Sequence, residues 1–584
     1  MFSKKRVLVA GTAVLALGLT AACGGNSDSD SDSKGSSKAE FNAALTKIFN
    51  PSDKKGGTVK LANSGDWDTV DPGETYYGYS WDFLRLYGRS LLTFKSEPGA
   101  AGNELTPDLA EAAGVPTDGG KTWTYKIRKG IKYEDGTEVK AADVKYAVLR
   151  STDKETFPNG PAYFEGFLDL PADYKGPYKS KGANTDSAIT TPDDYTIVFH
   201  LKQAFGGFDY IAALPQTVPV PEAQDKGANY KQHVISSGPY MFDTNNLGKD
   251  FSLKRNPNWD AASDPIRKAL PDRFEVSLNV NADDIDNRLL SGDLDIDVVG
   301  TGVQPAALGR VVGDPTVKAS ADNPTLSRLW YTSINGNVAP FDKIECRKAV
   351  EFAYDRTGYQ TAYGGPLAGG EIATSILPPV IPGYQKIDPY PVSDPTGDVA
   401  KAKEQLTACG QAAGFETNIA YRAERPKEKA TAESMQQALA KVGIKLTLKP
   451  FPQGDYFSQY AGNPGYAKTN KLGLVVNGWG ADWNDGYGFL SQVVDSRVIR
   501  ETGGSSNVSV RDPAVDALLD QAVAETDTTK REAIWGQIDA KVMEDAYIIP
   551  GIVAKSLLIR PKNLTNVYVN EAYGMYDYSA IGVA

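Results

Sequence analysis

Between residue 55 and the C-terminus, strand-like and helix-like periodicities alternate with no long linker and no internal repeat, and that alternation restricts the fold more than any other feature. Segments 121–128 (KTWTYKIR), 195–201 (YTIVFHL), 251–255 and 273–280 repeat apolar residues at every second position. Segments 139–150, 283–290, 343–355, 430–442 and 512–524 repeat them at three and four, and Asp512-Pro513 offers an N-cap followed by proline at the first helical position. A large α/β protein with many ordered loops is expected, rather than a helical bundle. Hydrophobic residues make up 41% of the 584 and charged residues 23%, close to globular averages, which excludes a mostly disordered chain and a polytopic membrane protein.

The first residues indicate the compartment. Lys4, Lys5 and Arg6 precede an apolar run, residues 7–19, that has the length of a secretory core and is too short to span a bilayer. The run ends in LTAACG at residues 19–24, which resembles the lipobox of bacterial lipoproteins. That resemblance implies a signal peptide over residues 1–22, lipidation of Cys23, and a protein held at the outer face of the bacterial cell membrane by its lipid alone. Residues 26–38 read NSDSDSDSKGSSK and have nothing to bury, so a disordered Ser/Asp-rich tether is expected over residues 23–56, with a reach of about 30 Å.

Charge and rare residues narrow the function. Acids number 73 and bases 62, a net charge of −11, which disfavours nucleic acid as a partner. Two histidines and three cysteines leave few soft ligands, so neither a metal site nor a cofactor is expected. Cys346 opens one helical pattern and Cys409 closes another, and in an oxidising compartment this pair is expected to form a disulfide. No GxSxG, HExxH or P-loop pattern is present, and with no nucleophile paired to a base there is no enzymatic reaction to propose.

Residues 105–150 (LTPDLAEAAGVPTDGGKTWTYKIRKGIKYEDGTEVKAADVKYAVLR) resemble the signature region of the family 5 extracytoplasmic solute-binding lipoproteins of ABC importers, the oligopeptide- and dipeptide-binding type. SSGPYMF at 236–242, NPNWD at 256–260, RLLSGDLDI at 288–296, the segment 334–356 and GWGADWNDGYGFL at 478–490 are similar to the family in the same order. The resemblance implies a periplasmic-binding-protein-like clamp of the class II, cluster C type. Lobe I would comprise residues 57–280 and 549–584, lobe II residues 281–548, with hinge crossings near Val280 and Ile549. It further implies a monomeric binding protein that captures short peptides between its lobes and delivers them to permease subunits. Oligosaccharides, siderophores and nickel chelates are the alternative cargo within the fold, and a lipid-anchored hydrolase is the alternative outside it.

By the same resemblance, Asp482 would accept hydrogen bonds from a peptide's α-ammonium, with Trp479, Gly480 and Trp483 walling the pocket. Indole faces supply large apolar area and cation–π attraction. Tyr76, Tyr77, Tyr79 and Trp81 fall where the first lobe lines the cleft, and Asn335 and Asn507 where polar groups point toward it. Val338 stands near the point where some oligopeptide binders carry a lysine for the peptide's carboxylate, which leaves Arg422 as a substitute.

Overall fold

A computed structural model describes residues 40–584 apart from residues 301 and 526. The expected signal peptide, Cys23 and the Ser/Asp tract lie outside the described residues. The alternating pattern folds into two lobes, each built on its own mixed sheet. In lobe I the strands lie in the order Ile296–Asp297, Thr58–Ala62, Arg273–Ser277, Asp250–Arg255 and Tyr240–Asn246. Thr58–Ala62 is parallel to both neighbours, so its Val59 and Leu61 are enclosed with Trp67, Phe83, Phe251 and Phe274. A four-stranded antiparallel sheet, Val115–Thr117, Thr122–Lys126, Thr196–His200 and Ile189–Asp193, extends this lobe. The expected period of two holds there: Trp123, Tyr125, Ile197 and Phe199 are all buried.

Lobe II has a six-stranded sheet in the order Gly370–Ile372, Ile548–Lys555, Thr325–Ile334, Leu472–Gly480, Glu416–Arg422 and Lys445–Phe451. Along its central strand Leu326, Trp330 and Ile334 pack with Cys346 and Met435, while Leu329 and Tyr331 pack with Phe489 and Ile538 on the opposite face. The strand is thus covered on both faces, with Ser327, Arg328, Thr332 and Ser333 set among its apolar residues. Cys346 and Cys409 are joined as expected, with Cα atoms 5.5 Å apart, linking the helix Ile344–Ala353 to the end of Val399–Ala408. Asp398 caps the second of these helices through Lys401 N–H, and Gly410 takes the left-handed conformation just beyond it.

Strand pairing moves the hinge from its expected place. The chain crosses between lobes on two short antiparallel strands, Ala321–Asp322 and Leu558–Ile559. Ile296–Asp297 still pairs with Leu61 and Ala62, and Ile285, Val303 and Val311 pack around Ala62, so residues 281–320 belong to lobe I and not to lobe II. Ile548–Lys555 is paired to Thr325–Ile334, so lobe II continues to Lys555 instead of ending at residue 548.

The tether also needs correction, because residues 40–56 are part of the folded body. Ala44 N–H donates to Asp322 Oδ1 at 2.9 Å, Phe49 N–H donates to Val567 O at 2.8 Å, and Arg560 lies 4.5 Å over the Phe49 ring. Asp322 also accepts from Arg560 Nη2 at 2.7 Å and from Tyr576 Oη at 2.9 Å, so this segment is fastened at the hinge itself.

Candidate functional site: the cleft between the lobes

The lobes enclose a cavity of about 1170 Å³, its mouth included. Tyr76 and Tyr77 precede the helix Gly78–Leu84 and reach the cavity together with Trp81 on its first turn. Asp68 sets this loop. It accepts from Tyr76 N–H at 2.7 Å, from Thr75 Oγ1 at 2.9 Å and from Ser80 Oγ at 2.8 Å. The Tyr76 ring is stacked on Trp81 at 5.5 Å and meets the edge of Trp479, from the other lobe, at 5.6 Å. The buried Trp479 Nε1–H has no hydrogen-bond partner among the described residues.

Asp482 follows the strand Leu472–Gly480 and lines the cavity, as Asp68 does from the other lobe. Its Oδ2 accepts from Tyr76 Oη at 2.7 Å and from Tyr163 Oη at 2.6 Å, both hydroxyls coming across from lobe I. Burial pushes this carboxyl up to about 7, against the two tyrosine hydrogen bonds that favour its charged form. Among the described residues it forms no ion pair.

The basic side of the cavity is built from Arg328, Arg422 and Arg425. Arg422 Nε donates to Glu428 Oε1 at 2.8 Å, and Arg425 Nη1 lies 3.4 Å from the same oxygen while its Nε donates to Gln453 Oε1 at 2.8 Å. One carboxylate thus serves two guanidinium groups. Tyr77 Oη lies 3.5 Å from Arg422 Nη1 and donates to Gln453 O at 3.4 Å, a second bridge between the lobes.

Asp482, Trp479, Gly480, Tyr76 and Tyr77 therefore meet in one cavity, with Arg422 on its basic side. Four expected residues do not line it, the first being Tyr79, which is buried with its ring stacked on Tyr77 at 5.3 Å. Trp483 is buried in aromatic packing, stacked on Tyr210 at 5.6 Å and set against Tyr163 at 4.9 Å, so it supports the hydroxyl that bonds Asp482. Asn335 is buried at the end of its strand, where its side chain accepts from Asn337 N–H at 3.1 Å to fix a turn. Asn507 spends both halves of its amide on the backbone of Asp495, Ser509 and Val510. Tyr163, Arg328 and Arg425 are the residues that reasoning from sequence missed. Tyr163 sits in a short aromatic helix and Arg328 in a strand pattern, both of which read locally as ordinary packing or a solvated face.

Two lobes on paired hinge strands, closed over a cavity lined by buried acids and three guanidinium groups, define a ligand-capturing clamp. The chain belongs to the family of bacterial extracellular solute-binding proteins, family 5, whose middle-region model matches residues 104–500. It is similar to the solved structure of clavulanic acid biosynthesis oligopeptide binding protein 2, with 40% identity, 94% of this chain and 99% of that chain covered, and a TM-score of 0.83. It is also similar to di/tripeptide-binding protein 1 of Pseudomonas aeruginosa (strain UCBPP-PA14), 26% identical over 80% of this chain and 83% of that one. The glutathione-binding protein GsiB of Escherichia coli (strain K12) is 26% identical over 88% of this chain and 92% of its own.

Proposed function

We propose that the protein is the membrane-anchored substrate-binding component of an ABC importer, which captures short peptides between its lobes and presents them to the permease as a monomer. The observation that carries this reading is Asp482, a carboxyl group on the cavity lining held by two hydroxyls and, among the described residues, in no ion pair. An α-ammonium supplies the missing charge through a charge-assisted hydrogen bond, and the arginines opposite suit a peptide's carboxylate. Peptide- and glutathione-binding relatives support the same cargo. Tyr76 and Tyr163 reach Asp482 only when the lobes are together, so the ligand's ammonium joins contacts made in the closed form, and capture is a population shift toward closure.

The titration of Asp482 tests this reading. Its carboxyl is half protonated near pH 7 in the empty closed cleft, and an ammonium partner lowers that value, so binding an amine releases a proton. Affinity is expected to fall as the pH drops below 7, where Asp482 takes up a proton, and to fall again above about pH 8, where the peptide's own α-amine loses its proton. Isothermal titration of an unblocked short peptide in buffers of different ionisation enthalpy measures both effects. A pH-independent affinity with no proton release would overturn the ammonium assignment.

Anchoring rests on Cys23, with no helix among the described residues long and apolar enough to cross a membrane. A Cys23→Ala chain is expected in the medium or as uncleaved precursor when cells are fractionated. Unchanged processing and membrane recovery would contradict the lipid anchor.

A further inference from the structure

Arg328 differs from the other cations of the cleft. It lies on Thr325–Ile334 directly opposite Gly480, and its guanidinium fills a slot between glycines of opposite lobes. A Cβ on Gly480 would stand 3.4 Å from Arg328 Nη2, and one on Gly78 3.7 Å from the same atom. The Trp330 ring lies 5.3 Å away. Arg422 and Arg425 both lean on Glu428, whereas Arg328 has no carboxylate within 4.0 Å among the described residues. Burial, and then the like charges of Arg425 and Arg422, pull its guanidinium down to about 10. A half-buried cation beside two others, with no acid of its own, is costly to keep unless a ligand compensates it.

We infer that Arg328 receives an anionic group of the ligand additional to its terminal carboxylate, so that the cleft selects short peptides bearing an acidic side chain near the amino end. This rests on the peptide reading above and specifies its substrate class. Arg422 and Arg425 share Glu428, whereas Arg328 forms no ion pair with Asp68 or Asp482, the acids on the cavity lining, among the described residues. A ligand with a carboxylate besides its terminal one supplies the acid that Arg328 lacks. The strand register places the second carboxylate. Gly480, which Arg328 covers, ends its strand two residues before Asp482, at most about 7 Å along the chain, so the group that Arg328 holds lies toward the amino end of a ligand whose ammonium meets Asp482.

Isothermal titration with Ala-Ala-Ala, Glu-Ala-Ala and Lys-Ala-Ala provides the test, using the wild type, Arg328→Gln and Arg328→Lys. The wild type is expected to bind Glu-Ala-Ala about 30-fold tighter than Ala-Ala-Ala, the lower end for a desolvated charge pair, and Lys-Ala-Ala more weakly than either. Arg328→Gln should abolish the preference, so that it binds Glu-Ala-Ala no more tightly than Ala-Ala-Ala, and Arg328→Lys should keep part of it. If Arg328→Gln does not fold, the wild-type series decides alone. Equal binding of the alanine and glutamate peptides by the wild type would overturn the role of Arg328 and leave peptide capture standing. A preference surviving in Arg328→Gln would do the same. Binding of none of the three peptides would overturn both.

Discussion

Asp482→Asn is expected to weaken the binding of an unblocked short peptide by about 2 to 5 kcal/mol, the range for removing one partner of a desolvated charge pair. The change preserves shape. The amide oxygen can still accept from Tyr76 and Tyr163, which now donate to Oδ2 at 2.7 and 2.6 Å, so the closed cleft keeps its cross-lobe hydrogen bonds. It loses the charge that an ammonium requires once water is excluded. Removing a carboxyl that burial already pushes to about 7 should leave unfolding almost unchanged. Loss of affinity with intact stability, read by titration and by thermal unfolding of the empty protein, separates a binding residue from a structural one.

Replacing Cys346 and Cys409 together by alanine is expected to destabilise lobe II by about 4 kcal/mol, the chain-entropy value for opening a loop of this length, the two positions being 63 apart in sequence. Both residues are buried in the cluster that holds Ile334, Val350, Leu406 and Leu439. The link fastens the helices Ile344–Ala353 and Val399–Ala408, which cover one face of the central sheet. The cavity is lined from the ends of that sheet's strands, so peptide affinity well below the unfolding temperature should hardly move. Two lobes need not unfold together, so the measurement is denaturant unfolding of the variant and the wild type with a probe in lobe II. A shift below about 1 kcal/mol would show that packing alone holds these helices, since surface-level effects fall in that range.

Local periodicity made the secondary elements legible, and non-local pairing hid the hinge. Residues 121–128 and 195–201 announce their strands because one face of each is buried. Nothing local shows that Ile296–Asp297 returns to Leu61 and Ala62, or that Ile548–Lys555 pairs with Thr325–Ile334, and those pairings decide which lobe each segment joins. Asp482 and Trp479 were legible only through the resemblance of their segment, since an aspartate in a turn rich in Gly, Asn and Asp is otherwise ordinary. Trp479 and Trp483, four positions apart, look alike in sequence, yet the first meets the cavity and the second packs on Tyr210. Residues 40–56 follow a tract with nothing to bury, and their partners Asp322, Arg560 and Val567 lie hundreds of positions away.

The central claim, that the cleft closes on a peptide through its ammonium at Asp482, is tested most directly by titrating the wild type and Asp482→Asn with one cognate peptide and its N-acetylated form. N-acetylation should cost the wild type about as much as the Asn substitution does, and should cost the variant much less, because the two changes remove opposite halves of one interaction and a double-mutant cycle then shows coupling. Additive losses, or an acetylated peptide that binds the wild type as tightly as the free one, would contradict it.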